Sequence, residues 1–132
     1  MANIEKVMRL VKTLTILCRD HNSQGKYNLV AGCYTKKLGL ISIGVNDYTK
    51  THPKQYYYGN KSGNDQKCFL HAEMAAIINA RGESIDTIIV ARYNTKVSIS
   101  KPCPSCMLAI KDTGIKNIYY TITENEIGYI KV

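Results

Sequence analysis

Two short stretches restrict this chain more than anything else in it: "KPCPSCMLAI" at 101–110 and "FLHAEMAAI" at 69–77. The first sets Cys103 and Cys106 three residues apart, with Pro102 before the first and Pro104 between them, where a helix begins. The second sets His71 and Glu73 at the start of another helix. Taken singly, none of these residues says much. A Cys-x-x-Cys pair suits a redox couple, a structural zinc knuckle or two buried small side chains. A lone histidine reads as a core residue, and Glu73 as a first-turn carboxylate facing the helix dipole. A fold that brings both helix starts to one sheet edge changes this. Free amides at a helix start favour thiolates, and the i, i+3 spacing puts both sulfurs on one face. One imidazole and two thiolates make three ligands, whereas a structural zinc site closes with four and a catalytic one keeps a place for water. Zinc lowers the pKa of water from about 15.7 to about 7. A carboxylate two residues from the histidine could then carry the proton.

The remaining composition bounds the class. With 132 residues the chain is expected to form one domain over 1–132. Its longest apolar runs fall well short of the roughly 18 residues a membrane span requires. "MANIEKVMRL" scatters charges where a secretory signal would be continuous and apolar. Five cysteines (Cys18, Cys33, Cys68, Cys103, Cys106) are an odd number, which points to reduced thiols rather than a disulfide framework. A soluble, cytoplasmic protein is expected. The net charge of +8 is uneven: residues 1–70 hold eleven Lys and Arg against four Asp and Glu, and 71–132 hold seven against six. That asymmetry suits an anionic partner, a nucleotide phosphate or a nucleic acid, as well as plain solubility.

Periodicity supplies the layout. Ile4, Val7, Met8, Val11, Leu14, Leu17 and Cys18 recur at helical spacing, with Asn3 as the cap. "YNLVAGCY" (27–34) and "LGLISIGV" (38–45) read as strands joined by a turn in "TKKLG". "HAEMAAIINA" (71–80) reads as a helix ending at Arg81-Gly82. "DTIIVARY" (86–93) is a strand, and the cysteine stretch opens a helix that stops at Gly114. "KNIYYTI" (116–122) and "IGYIKV" (127–132) are strands separated only by "TENE", too short for a parallel crossover, so this pair should be antiparallel. The expected fold class is α/β: a mixed five-stranded sheet with helices on both faces.

His71-Ala72-Glu73 followed by Pro102-Cys103-Pro104-Ser105-Cys106 resembles the H-x-E and P-C-x-x-C signature of the zinc-dependent cytidine deaminase superfamily. The resemblance extends to "GVN" (44–46), similar to the segment with the family's sugar-contacting asparagine. "AIKDTGIKNIYYT" (109–121) is similar to the helix and strand after the cysteines in deoxycytidylate deaminases. It implies a three-layer cytidine-deaminase-like fold and one catalytic Zn2+ on His71, Cys103 and Cys106. Glu73 would be the proton carrier, the Ala72 amide would hold the base and Asn46 the sugar. The reaction implied turns cytosine into uracil in a free nucleoside or nucleotide: cytidine, deoxycytidine or dCMP. Single-stranded DNA or tRNA remains an alternative substrate, with cytosine or adenine as the base. A non-catalytic zinc-stabilised module is a third reading. Relatives commonly assemble, so a homo-oligomer is implied. Asn46 also reads as a plain turn residue after a strand.

The most distinctive departure from that pattern is "DYTKTHPKQYYYGNKSGNDQKCFL" (47–70), a Tyr- and Lys-rich insertion expected to be a loop. Its length suits a lid or an assembly element. Tyr48 and Tyr56-Tyr57-Tyr58 among Lys50, Lys54, Lys61 and Lys67 also suit a single-stranded nucleic acid. Cys68 is expected to be simply buried, because a fourth ligand would close the metal site. His52 and Cys68 alone are too few for a second zinc.

Overall fold

The computed structural model describes residues 4–20, 28–47, 50–63, 70–94 and 96–132. In chain order they form α1 (Ile4–Asp20), β1 (Asn28–Tyr34), β2 (Leu40–Val45), α2 (Pro53–Lys61) and α3 (Ala72–Asn79). Then follow β3 (Thr87–Asn94), β4 (Lys96–Ser98), α4 (Pro104–Thr113), β5 (Asn117–Thr123) and β6 (Glu126–Lys131). The main sheet has the five strands expected, in the order β2-β1-β3-β5-β6, and the three-residue β4 adds a sixth beside β3. β3 and β5 run parallel, while β1 is antiparallel to both its neighbours. The last pair, β5–β6, is antiparallel, as its short connection requires.

Alternation along the strands explains why helices cover both faces. Val30, Ile89, Ala91 and Tyr119 point to one side, where Val7, Val11, Leu14 and Cys18 of α1 bury the 3.6-residue stripe. Ile4 and Leu17, which the helical spacing also places near this stripe, are exposed. Ala31, Cys33, Ile88, Val90 and Ile118 point to the other side, against Ala72, Met74, Ala76 and Ile77 of α3 and Ala109 and Ile110 of α4. The proposed cap Asn3 lies outside the described residues.

In the expected β1–β2 turn the left-handed residue is Leu38 (φ 64°), which is buried. One feature differs from the expected layout. Within the segment expected to be a loop, nine residues form α2. Pro53 occupies its first turn, and the His52 Nδ1 accepts the Lys54 N–H at 3.0 Å as a cap. His52 thus serves as a helix cap, and Cys68 lies outside the described residues.

β2 seats α3 closely. The Ser42 hydroxyl donates to the Ala76 carbonyl at 2.7 Å, and the Asn79 Nδ2 donates to the Ile43 carbonyl at 2.9 Å. Between them Gly44 lies under the helix main chain. A Cβ there would stand 2.5 Å from the Ala72 carbonyl oxygen and 2.7 Å from the Ala75 carbonyl carbon, and would also strike the Ala76 nitrogen. Main chain bounds that space on both sides, so Gly44→Ala is expected to cost about 3 kcal/mol, the upper end of overpacking costs, read from the urea midpoint. A midpoint equal to wild type would show that α3 is not pinned there.

Candidate metal centre

Two helix starts meet at one edge of the sheet. His71 is the N-cap of α3, with extended backbone (φ −82°, ψ 153°) and no capping bond from its side chain. Cys103 is the N-cap of α4, followed by Pro104, and Cys106 completes the first turn. The His71 Nδ1 lies 3.5 Å from the Cys103 Sγ and 3.5 Å from the Cys106 Sγ. Among the described residues this is the one cluster of His, Cys, Asp and Glu whose ligand atoms, all within 4.8 Å of one another, could hold an ion. The spacing fits zinc: a tetrahedral ion with nitrogen at about 2.1 Å and sulfur at about 2.3 Å separates the two by about 3.6 Å. His71, Cys103 and Cys106 could therefore hold one metal ion between them.

The electrostatics of the thiol pair suit a cation as well. Cys103 is held down to about 3, chiefly by the hydrogen bond from Cys106 and then by His71, against the opposing effect of burial. Cys106 is pushed well above its ordinary value as the donor in that bond and by burial. The two sulfurs share one proton where a dication would hold two thiolates. By contrast, burial pushes Cys18 and Cys33 up to about 11, which marks them as inert core thiols.

Glu73 lies in the first turn of α3, 4 % exposed. Burial raises its carboxyl, while its own main-chain amide, His71 and the Cys106 thiol each pull the other way. Ala72, also buried, opens the same turn, where helical bonding leaves main-chain N–H groups available. Asn46 is buried at the end of β2, and its Oδ1 accepts the Leu29 N–H at 2.9 Å. Next to it the Asp47 N–H donates to the Leu70 carbonyl at 2.9 Å, so the end of β2 lies alongside the residues leading into His71.

Residues that the sequence did not single out also surround the site. The Gln55 Oε1 on α2 accepts the His71 main-chain N–H at 3.2 Å. Ser105, between the two cysteines, meets Ser62 at 2.8 Å. Pro53 could have marked the start of α2, but nothing in the sequence marks these bonds.

The arrangement as a whole is that of a zinc deaminase. The chain belongs to the cytidine and deoxycytidylate deaminase family, whose zinc-binding-region model matches residues 1–122. Its fold is similar to that of cytidine deaminase from Burkholderia pseudomallei, at 14% identity and TM-score 0.63, covering 93% of this chain and 90% of that one. It is also similar to the Mycobacterium tuberculosis cytidine deaminase, at 13% identity and TM-score 0.53 over 88% and 89% of the two chains. A single-substitution mutant of the same M. tuberculosis protein aligns at 10% identity and TM-score 0.54 over 94% and 93%. No curated protein matches the chain in sequence. Among the described residues no helix is long and apolar enough to cross a membrane.

Proposed function

We propose that this protein hydrolyses the exocyclic amine of cytosine in a free nucleoside or nucleotide, giving uracil and ammonia. The carrying observation is the antiparallel β5–β6 pair. It resembles the free-cytidine deaminases, whereas a parallel last pair would be closer to relatives acting on tRNA and DNA. Bound zinc would supply a Lewis acid that makes water nucleophilic at neutral pH. Glu73 would take one proton from the attacking water and pass it to the ring nitrogen, then take the second proton of that water and pass it to the departing amine. Burial raises the proton affinity of this carboxyl, which suits a group that must both accept and return a proton. The Ala72 amide holds the polar edge of the base, and Asn46 holds the ribose or deoxyribose. Reduced thiols at the centre fit a cytoplasmic enzyme, and the family resemblance favours a homo-oligomer.

A second reading keeps one specific support. Tyr56 and Tyr57 of α2 are exposed, and the Lys61 ammonium sits 5.6 Å from the Tyr57 ring centroid. Such a surface can stack bases and neutralise phosphates of a single strand. Zinc-loaded protein given cytidine, deoxycytidine, dCMP, single-stranded DNA and a tRNA anticodon stem separates the two. Release of ammonia from a free substrate and none from DNA or tRNA is the expected result. Turnover of polynucleotide alone, falling steeply with salt, would replace this reading with the second. Zinc-loaded protein inert on every substrate would leave a non-catalytic module.

A further inference from the structure

Helix α2 is tied to both pieces of chain that carry the metal ligands. In its first turn Gln55 is fully buried, and its Oε1 takes the His71 N–H at 3.2 Å. At its other end the Ser62 hydroxyl donates to the Gly59 carbonyl at 3.0 Å. The 2.8 Å contact between Ser62 and Ser105 therefore has Ser105 as donor, and Ser105 is a buried residue standing between Cys103 and Cys106. Lys61 pairs with Asp112 of α4 at 3.6 Å, and Tyr58 hydrogen-bonds to the same carboxylate. These last ties are partly exposed and contribute little energy; Gln55 and Ser105 are enclosed.

The Gln55 carboxamide has one workable orientation. Its oxygen must face the His71 N–H, because the NH2 there would set donor against donor. The Nε2 is then buried, with no hydrogen-bond partner among the described residues. An unpaired buried donor costs about 1–3 kcal/mol. Methionine has similar length and would fill the space without that cost. The benefit of an amide here lies in what its oxygen does to His71. That residue's main chain sets the direction in which the imidazole leaves the start of α3.

We propose that α2 is a brace for the metal centre and that Gln55 is its principal positioning residue, holding the imidazole of His71 in register with Cys103 and Cys106. This gives the insertion a task other than lid or strand-binding platform, and it rests on the metal-ligand reading of those three residues. The test uses the full chain as wild type, Gln55→Met, Gln55→Glu and Ser62→Ala. It measures zinc affinity by chelator competition and the visible spectrum of the cobalt-substituted protein. Gln55→Met should weaken zinc binding about 10- to 100-fold, the range for groups that orient a ligand, and shift the cobalt bands. Gln55→Glu keeps an oxygen for the His71 N–H and should recover part of that loss; Ser62→Ala should lose less than Gln55→Met. Wild-type affinity and spectrum in Gln55→Met would overturn the brace even if its melting temperature fell, and so would the absence of any recovery in Gln55→Glu. If Gln55→Met does not fold, Ser62→Ala decides, and wild-type affinity there overturns the proposal. A wild-type chain that takes up no zinc would instead remove the metal reading underneath.

Discussion

Glu73→Gln protein is expected to keep one zinc per chain and to lose turnover by about 10²- to 10⁴-fold, the usual contribution of a positioned proton carrier. Glutamine has the shape of glutamate, and residue 73 sits enclosed in the first turn of α3, so the helix start and the neighbouring His71 keep their places. It is not one of the three side chains whose ligand atoms cluster. What disappears is a group able to accept a proton and return it, because a carboxamide does neither at neutral pH. Removing a buried carboxylate leaves no unpaired charge behind, so the melting temperature should be no lower than wild type. Zinc content by elemental analysis and product formation by chromatography check both halves. Full turnover in a zinc-loaded Glu73→Gln protein would take Glu73 out of the reaction, while loss of the zinc itself would make it a ligand.

What could be read in advance was what local rules specify. The H-x-E and P-C-x-x-C segments carry their geometry within five residues, and each sits at a helix start marked by its own residues. The α1 stripe showed through period, and the antiparallel last pair followed from four intervening residues. Gln55 could not be found this way. Its function is a bond from the main-chain N–H of a residue sixteen positions on, and main-chain donors leave no mark in side-chain type. Helix α2 was hidden for a related reason: three tyrosines and a glycine in nine residues are indifferent helix formers with no apolar stripe. Its stability comes from the proline start, the His52 cap and packing on α4, of which packing is invisible before the chain folds.

Cys103→Ser should lose the metal and, with it, the part of the stability that the metal supplies. Serine is a good N-cap, as favourable at the start of a helix as any residue. The start of α4 is therefore not weakened by the change itself, and any loss must come through the ion. A serine hydroxyl stays protonated at neutral pH where a thiolate is needed, so His71 and Cys106 would remain as two ligands, too few for a stable site. Cys106 would also lose the partner to which it donates. At zinc a thousandfold above its dissociation constant, binding adds about 4 kcal/mol to wild type, or roughly 10–20 °C of melting temperature for a chain of this size. Cys103→Ser should forfeit that increment and melt, with or without zinc, close to chelator-treated wild type. The coincidence of those two temperatures is the sharp part, because a substitution that merely damaged α4 would melt below chelator-treated wild type. Stoichiometric zinc in Cys103→Ser, or wild-type thiols found joined as a disulfide in freshly prepared reduced protein, would contradict the three-ligand centre.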